Sequence, residues 1–413
     1  MLQRYLTFGE SWFIQAGVGA MFALTTVGGP IDPDIMRRSL TALMDGQPEF
    51  RGTVEHDGTG FLLRINNTAE PVVHVRSAAP DGLREELNAQ PDPAVGLVRV
   101  CVIPDAERTT VALMMHHVIG DGQYLLAMNN ALWAGYTALT QGREPLPPHR
   151  DELSEPMETR LAERFDDSEL AELTGQSAPP TRQGVAAVTV VPDRAAAEHE
   201  VRYEVALVDA DTTKVFTALA ADSDVTVHAL MTGTIMSALL PALADGDDAG
   251  PLMMNCASPV DLRSRVDPPV PPEAAASWVS VINTAIPVTR DDTPLALAHR
   301  VKTEFDAALA ANLPEKIVAA GPRLSLGPGM EISFILTNLG RIAVPPMPRH
   351  TDFLDLQVCS NVLAPTLYFN AYTVDDRLRI TVIYNHAHHT AERMRGMADR
   401  IEAAFLAAAG IRH

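Results

Sequence analysis

The stretch Met114-Met115-His116-His117-Val118-Ile119-Gly120-Asp121-Gly122 decides how this chain reads. It stands between a β-rich segment, Thr109 to Met115, and a segment in which Leu125, Leu126, Leu132, Trp133, Tyr136 and Leu139 recur at helical spacing until Gly142. A strand end that turns through glycine into a helix is where α/β proteins present catalytic groups. Side chains alternate along a strand, so two adjacent histidines point to opposite sides and divide two tasks. One faces a substrate channel; the other is held inside the domain by hydrogen bonds. A neutral imidazole can take the proton from a hydroxyl as it becomes a nucleophile, because free alkoxide is scarce near neutral pH. Asp121, between Gly120 and Gly122, is placed to fix the loop through an ion pair, and the glycines permit the tight path that positions the histidine.

Outward from the motif, Val98 to Ile103 pairs with Thr109 to Met115 as a hairpin turned at Pro104 to Arg108. The apolar run Phe13 to Val27 reads as a buried first strand, strand-like from Met21. As a signal sequence it is interrupted by Gln15, Gly17 and Gly19, follows Glu10 and lacks a preceding basic cluster. Asp32 caps a helix that reaches about Leu43, and Phe61 to Ile65 and Val72 to Val75 are short strands. Between about Pro145 and His199 an acidic, proline-punctuated stretch with Pro179, Pro180 and Gly184 reads as a linker, carrying a short helix near Asp167 to Leu173. A second series then opens: strand from Arg202, helices Asp211 to Ala221 and Val227 to Leu243, and strands Leu252 to Ser258 and Val279 to Pro287. A helix at Pro294 to Ala311, strands at Glu331 to Thr337, Leu367 to Val374 and Leu378 to Tyr384, and a last helix from Ala391 complete it.

Two α/β halves of similar size follow from this order, as does the length of 413 residues, too long for one ordinary core. The expected halves are residues 1–178, with a linker from about 145, and residues 198–413. The formal charge of -20 repels phosphate backbones and anionic lipid, which argues against nucleic-acid and membrane partners. Cys101, Cys256 and Cys359 are scattered, odd in number and set among apolar residues, as expected of reduced thiols in a cytoplasmic protein. His386-Ala387-His388-His389 would set His386 and His388 on one strand face, yet no acidic or cysteine ligand stands near, so no metal is expected.

The motif resembles the HHxxxDG signature of the coenzyme-A-dependent acyltransferase superfamily, which includes chloramphenicol acetyltransferase, plant alcohol acyltransferases and the condensation domains of peptide synthetases. Pro259-Val260-Asp261-Leu262-Arg263, with Pro268-Pro269-Val270 and Pro272-Glu273-Ala274, is similar to the corresponding stretch of polyketide-associated acyltransferases of the phthiocerol/phthiodiolone dimycocerosyl transferase type. Arg4-Tyr5-Leu6-Thr7 to Glu10 and Gln47-Pro48-Glu49-Phe50-Arg51 are more loosely similar to the same group. The DFGWG segment of the plant branch is absent from the sequence.

The resemblance implies an α/β fold of two chloramphenicol-acetyltransferase-like domains, a pseudo-dimer with an active-site tunnel between them. It implies that His117 is the general base, that His116 is structural and that Asp121 pairs with Arg263. Gly120 and Gly122 complete the supporting motif. Asn338, in Thr337-Asn338-Leu339-Gly340-Arg341 after a strand, is a candidate oxyanion or tunnel contact. The implied reaction moves an acyl chain from a thioester to a hydroxyl of a lipid, polyketide or other natural product. No bound cofactor is implied; coenzyme A or a phosphopantetheine arm on an acyl carrier protein or polyketide synthase carries the donor, and the protein is expected to be a monomer. Arg323, Arg341 and Arg349 could form a basic patch for an acidic carrier. The alternatives are a free-standing condensation enzyme that forms an amide, and a non-catalytic member of the fold.

Overall fold

The computed structural model describes residues 2–175, 185–188, 199–243, 250–324, 331–361 and 364–410. Pro179, Pro180 and Gly184 of the expected linker, and the expected boundaries at 178 and 198, lie outside the described residues.

The chain opens with β1 (Gln3–Tyr5), α1 (Phe8–Gln15), β2 (Ala20–Gly28), α2 (Pro33–Gly46), β3 (Gly52–His56), β4 (Phe61–Ile65) and β5 (Val73–Val75). It continues with α3 (Asp81–Asn88), β6 (Val98–Asp105), β7 (Arg108–His116), α4 (Gly122–Thr140) and α5 (Met157–Leu161). The later part contains α6 (Asp167–Gly175), β8 (Val201–Val208), α7 (Ala210–Asp222), α8 (Val227–Leu243), β9 (Leu252–Asp261), β10 (Val279–Val288), α9 (Pro294–Ala310) and α10 (Leu313–Ala320). It closes with β11 (Phe334–Arg341), β12 (Phe353–Ser360), β13 (Leu367–Val374), β14 (Arg377–Asn385) and α11 (Ala391–Ala408).

Two compact units result. The first holds Met1–Arg160 together with two segments from much later in the chain, Arg263–Trp278 and Ala343–Asn361. Its main sheet runs β12-β2-β7-β6-β5, and a smaller sheet runs β1-β4-β3. β7 is buried on both faces from Val111 to His116, so its sequence is a near-continuous apolar run instead of an alternating one. β2 pairs antiparallel with it in the register Ala20↔His116, which brings the end of β7 against the start of β2. Asp32 caps α2 by accepting from the Asp34 and Ile35 amides, with Pro33 in the first turn.

The expectation of one buried strand over Phe13 to Val27 needs correction. Phe13 belongs to α1, which the chain leaves at Gln15, and β2 begins only at Ala20. A capping box starts the helix: Thr7 accepts from the Glu10 amide while the Glu10 carboxylate accepts from the Thr7 amide. Among the described residues no single helix is long and apolar enough to cross a membrane.

The second unit is built on the sheet β10-β9-β11-β13-β14-β8, packed by α8, α9 and α11. α8 is apolar around its circumference and accordingly buried, from Ala229 to Leu240 with few breaks. Met254, Phe334, Phe369, Ile380 and Phe405 carry its core from strand to helix.

Candidate active site

β7 ends at His116, and a single turn of 3₁₀ helix, His117–Ile119, leads to Gly120. His116 is buried, and its Nδ1 accepts the Val118 amide proton at 3.2 Å, so the imidazole closes the turn that follows it. Accepting at Nδ1 requires the neutral ring, and burial, with His117 alongside, pushes its pKa down to about 4. A Cβ on Gly19 would stand 2.1 Å from His116 Nε2, so the space beside this ring exists because residue 19 has no side chain.

His117 is partly exposed. Its amide donates to the Gly19 carbonyl at 2.6 Å, which ties the strand end to the segment between α1 and β2. Nδ1 is buried and makes no hydrogen bond among the described residues, whereas Nε2 is not sealed in this way. Desolvation lowers the His117 pKa below the ordinary histidine value, opposed by the negative charge of Asp121 and by the His117 and Gly120 carbonyls. Neutral imidazole is therefore the resting form near pH 7. The Phe13 ring lies flat on the imidazole, centroids 3.9 Å apart and planes inclined by 8°.

Asp121 divides its two oxygens between two tasks. Oδ1 accepts from the Gln123 and Tyr124 amides and caps α4. Oδ2 accepts from Arg263 Nη1 at 2.7 Å and from the Trp278 amide at 2.8 Å. Asp121 and Arg263 are both buried. Arg263 and Trp278 bound the returning segment of the first unit, which also donates the Ala276 amide to the Ile119 carbonyl at 2.9 Å. Ala276 holds φ at 77°, in the left-handed region that residues with a Cβ avoid. The motif loop is thus gripped by chain that lies about 150 residues further on.

The first turns of α4 are backed by a second polar cluster. Tyr124 Oη donates to Gln47 Oε1 at 3.1 Å, and Arg150 reaches Glu49 through Nη1 at 3.1 Å and Nη2 at 2.7 Å. The Gln47-to-Arg51 segment is therefore hydrogen-bonded to the first turn of α4. A Cβ on Gly120 would meet the Tyr124 ring at 2.2 Å, so this glycine is a requirement of space; its backbone is extended.

Residues 197–383 match the family described as phthiocerol/phthiodiolone dimycocerosyl transferase C-terminus. The phthiocerol/phthiodiolone dimycocerosyl transferase of Mycobacterium sp. (strain JLS) is 24% identical over 350 residues, covering 80% of each chain. Polyketide synthase associated protein 5 from Mycobacterium tuberculosis superposes with a TM-score of 0.76 at 17% identity, over 99% of this chain and 98% of that one. The trichothecene 15-O-acetyltransferase from Fusarium sporotrichioides gives 0.74 at 13% identity, over 98% and 95%. The protein is an acyltransferase with the condensation-domain-like fold.

Other positions of interest in this acyltransferase fall differently. Asn338 does not follow a strand; it lies within β11, in the second unit, where the register against β13 shifts between Asn338 and Gly340. Its Oδ1 accepts the Gly340 amide at 2.9 Å. His386 and His388 do not share a strand face, because β14 stops at Asn385 and the following turn takes them. His386 Nδ1 and His389 Nε2 face the His389 and Pro365 carbonyls instead. Of the arginines expected to form a basic patch, Arg323 pairs with Asp167 and Arg341 with Asp376, so their charges are locally compensated. Phe13, Trp278 and Gly19 were not singled out by the sequence, yet each touches the motif. A capping box at Thr7 and Glu10 announces the helix that carries Phe13.

Proposed function

We propose that this acyltransferase moves an acyl group from a thioester to a hydroxyl, with His117 as the general base. The observation that carries the reading is the place of the His117 ring, at the end of a buried strand with Nδ1 enclosed and Nε2 not, where desolvation favours the neutral imidazole. With Nδ1 enclosed, the scheme uses the Nε2 lone pair for the acceptor. The hydroxyl oxygen attacks the thioester carbon as Nε2 takes its proton. The tetrahedral intermediate then expels the thiolate, the C–S bond breaks, and the imidazolium returns the proton to sulfur. The products are an ester and a free thiol.

Asp121 takes no proton in this scheme. Both its oxygens are engaged by the α4 amides, Arg263 and Trp278, so its work is to hold the loop and set the local field. The donor carrier is coenzyme A or a phosphopantetheine arm. The O-acetyltransferase and dimycocerosyl transferase names of the relatives support a hydroxyl acceptor over an amine.

The test is a panel of acyl thioesters offered with alcohols or amines, followed by free-thiol release and product mass. Release that depends on alcohols, lost by about 10²–10⁴ in His117→Ala, is expected. Release with amines alone would replace this reading by amide formation.

A further inference from the structure

We infer that Phe13 is a positioning residue of the acyl transfer: its ring, flat against the His117 imidazole, sets the orientation in which Nε2 meets the acceptor. The inference rests on His117 being the base.

Phe13 has no acid, base or hydrogen-bonding group, so whatever it contributes is geometric. Aromatic side chains brought together by burial alone favour offset or edge-on arrangements. Here the planes are within 8° of parallel at 3.9 Å, a closer and flatter contact than apolar packing requires. Trp12 meets the Phe13 ring edge-on at 5.3 Å. A wall on one face of the imidazole resists rotation about the Cβ–Cγ bond, the motion that would exchange Nε2 for a carbon at the reacting position. Nδ1 is buried without a full hydrogen bond among the described residues, and the His117 and Gly120 carbonyls act on the ring only weakly, so the plane of the imidazole needs a further restraint. Phe13 supplies the missing constraint.

The helix that carries it is held at both ends, as a wall must be. At its start Arg4 forms two hydrogen bonds of 2.7 Å to the Glu10 carboxylate, and Glu158 accepts from Thr7 Oγ1 at 2.7 Å and the Gly9 amide at 3.0 Å. Past its end the Val18 amide donates to the Phe13 carbonyl, and the Gly19 carbonyl accepts from the His117 amide. Wall and histidine are therefore tied through one short segment. Phe8 and Trp12, on the same helix, stay exposed, so Phe13 is distinguished from its aromatic neighbours by where it points.

Turnover and the ¹⁵N NMR spectrum of the substrate-free protein test this together. Phe13→Ala is expected to lower kcat about tenfold or more. KM for the thioester should move less than about threefold, and the single His117 tautomer should give way to a mixture. Phe13→Tyr keeps the flat ring and is expected to restore both; Phe13→Leu keeps volume without the ring and is expected to restore neither. Turnover of the Ala and Leu variants within about twofold of wild type, or reduced turnover with an unchanged ¹⁵N spectrum, overturns the inference. His117→Ala is measured alongside: if it stays active, the general-base reading falls, whereas failure of Phe13 alone leaves His117→Ala inactive.

Discussion

Asp121 and Arg263 are 142 residues apart in the chain and joined by a 2.7 Å hydrogen bond inside a single unit. Because the other oxygen of Asp121 caps α4, one carboxylate couples the returning segment to the motif loop and to the helix after it. Both charges are buried, and breaking such a pair by removing one member costs about 3–5 kcal/mol. Asp121→Asn and Arg263→Ala are each expected to destabilise on that scale. Their double variant should fall short of the sum by more than about 1 kcal/mol. Urea unfolding of the three variants measures this, and additive losses would show that the pair is not a unit.

His116 makes a second prediction through its depressed pKa. In the unfolded chain the ring protonates near 6.5, whereas the folded site resists until about pH 4. The unfolded state therefore binds more protons in that window, and stability is lost as pH falls through it, by up to about 3 kcal/mol. Above pH 6.5 this contribution is fully present. His116→Asn, whose side-chain oxygen can accept from the Val118 amide without titrating, should show a flatter stability curve between pH 6.5 and 4. Identical slopes in the two proteins would remove His116 as the cause.

The glycines beside the histidines are needed for space, which makes alanine a sharp probe. Gly19→Ala puts a methyl group 2.1 Å from His116 Nε2, and Gly120→Ala puts one 2.2 Å from the Tyr124 ring. Each substitution should cost about 1–3 kcal/mol as the aromatic ring gives way. Both should also lower kcat, since each displaces a group that shapes the motif loop. Thermal midpoints and turnover report the two losses together.

Ala276 allows a test with an unusual sign. Its φ of 77° strains any residue with a Cβ, and its amide holds the Ile119 carbonyl. Ala276→Gly relieves strain of about 1–2 kcal/mol while loosening the unfolded chain by about 0.4–1 kcal/mol. The variant should be as stable as wild type or slightly more so. Ala276→Val, β-branched in the same region, should lose more than about 2 kcal/mol. Equal stability of the two would contradict the observed backbone.

How far the sequence could be read follows from where each signal is stored. The hairpin of β6 and β7 and the cap and period of α4 are local, and Val98, Met115 and Gly142 mark them within a few residues of their observed limits. α1 is also a local feature, hidden by reading Phe13 to Val27 as one apolar run although Thr7 and Glu10 announce a helix start. β12 is different in kind. It pairs with β2 across more than 300 residues, Ser360↔Met21, and no nearby residue signals that partner. The same holds for Trp278 on Asp121, a contact made by a backbone amide that every residue but proline possesses. The Phe13–His117 stack depends on the missed helix and on the pairing of β2 with β7, which brings Gly19 against His117. That is why the site's wall was illegible while its histidines were plain.

The last prediction concerns the acid limb of the reaction. A general base works only when unprotonated, and burial holds the His117 pKa below the ordinary 6.5, with the Asp121 charge pulling it partly back. The midpoint of the acid limb of kcat/KM for thiol release should therefore lie below pH 6.5, along a single-proton slope. His116 should leave this limb alone down to about pH 4, since its ring is already neutral there. Asp121→Asn removes the charge that opposes desolvation, so the limb should move to lower pH even as the plateau drops from the loosened loop. A purely structural role for Asp121 would lower the plateau without moving the limb. A limb above pH 6.5 in the wild type, or an upward shift in Asp121→Asn, would mean that the titrating base is not His117 in the environment described.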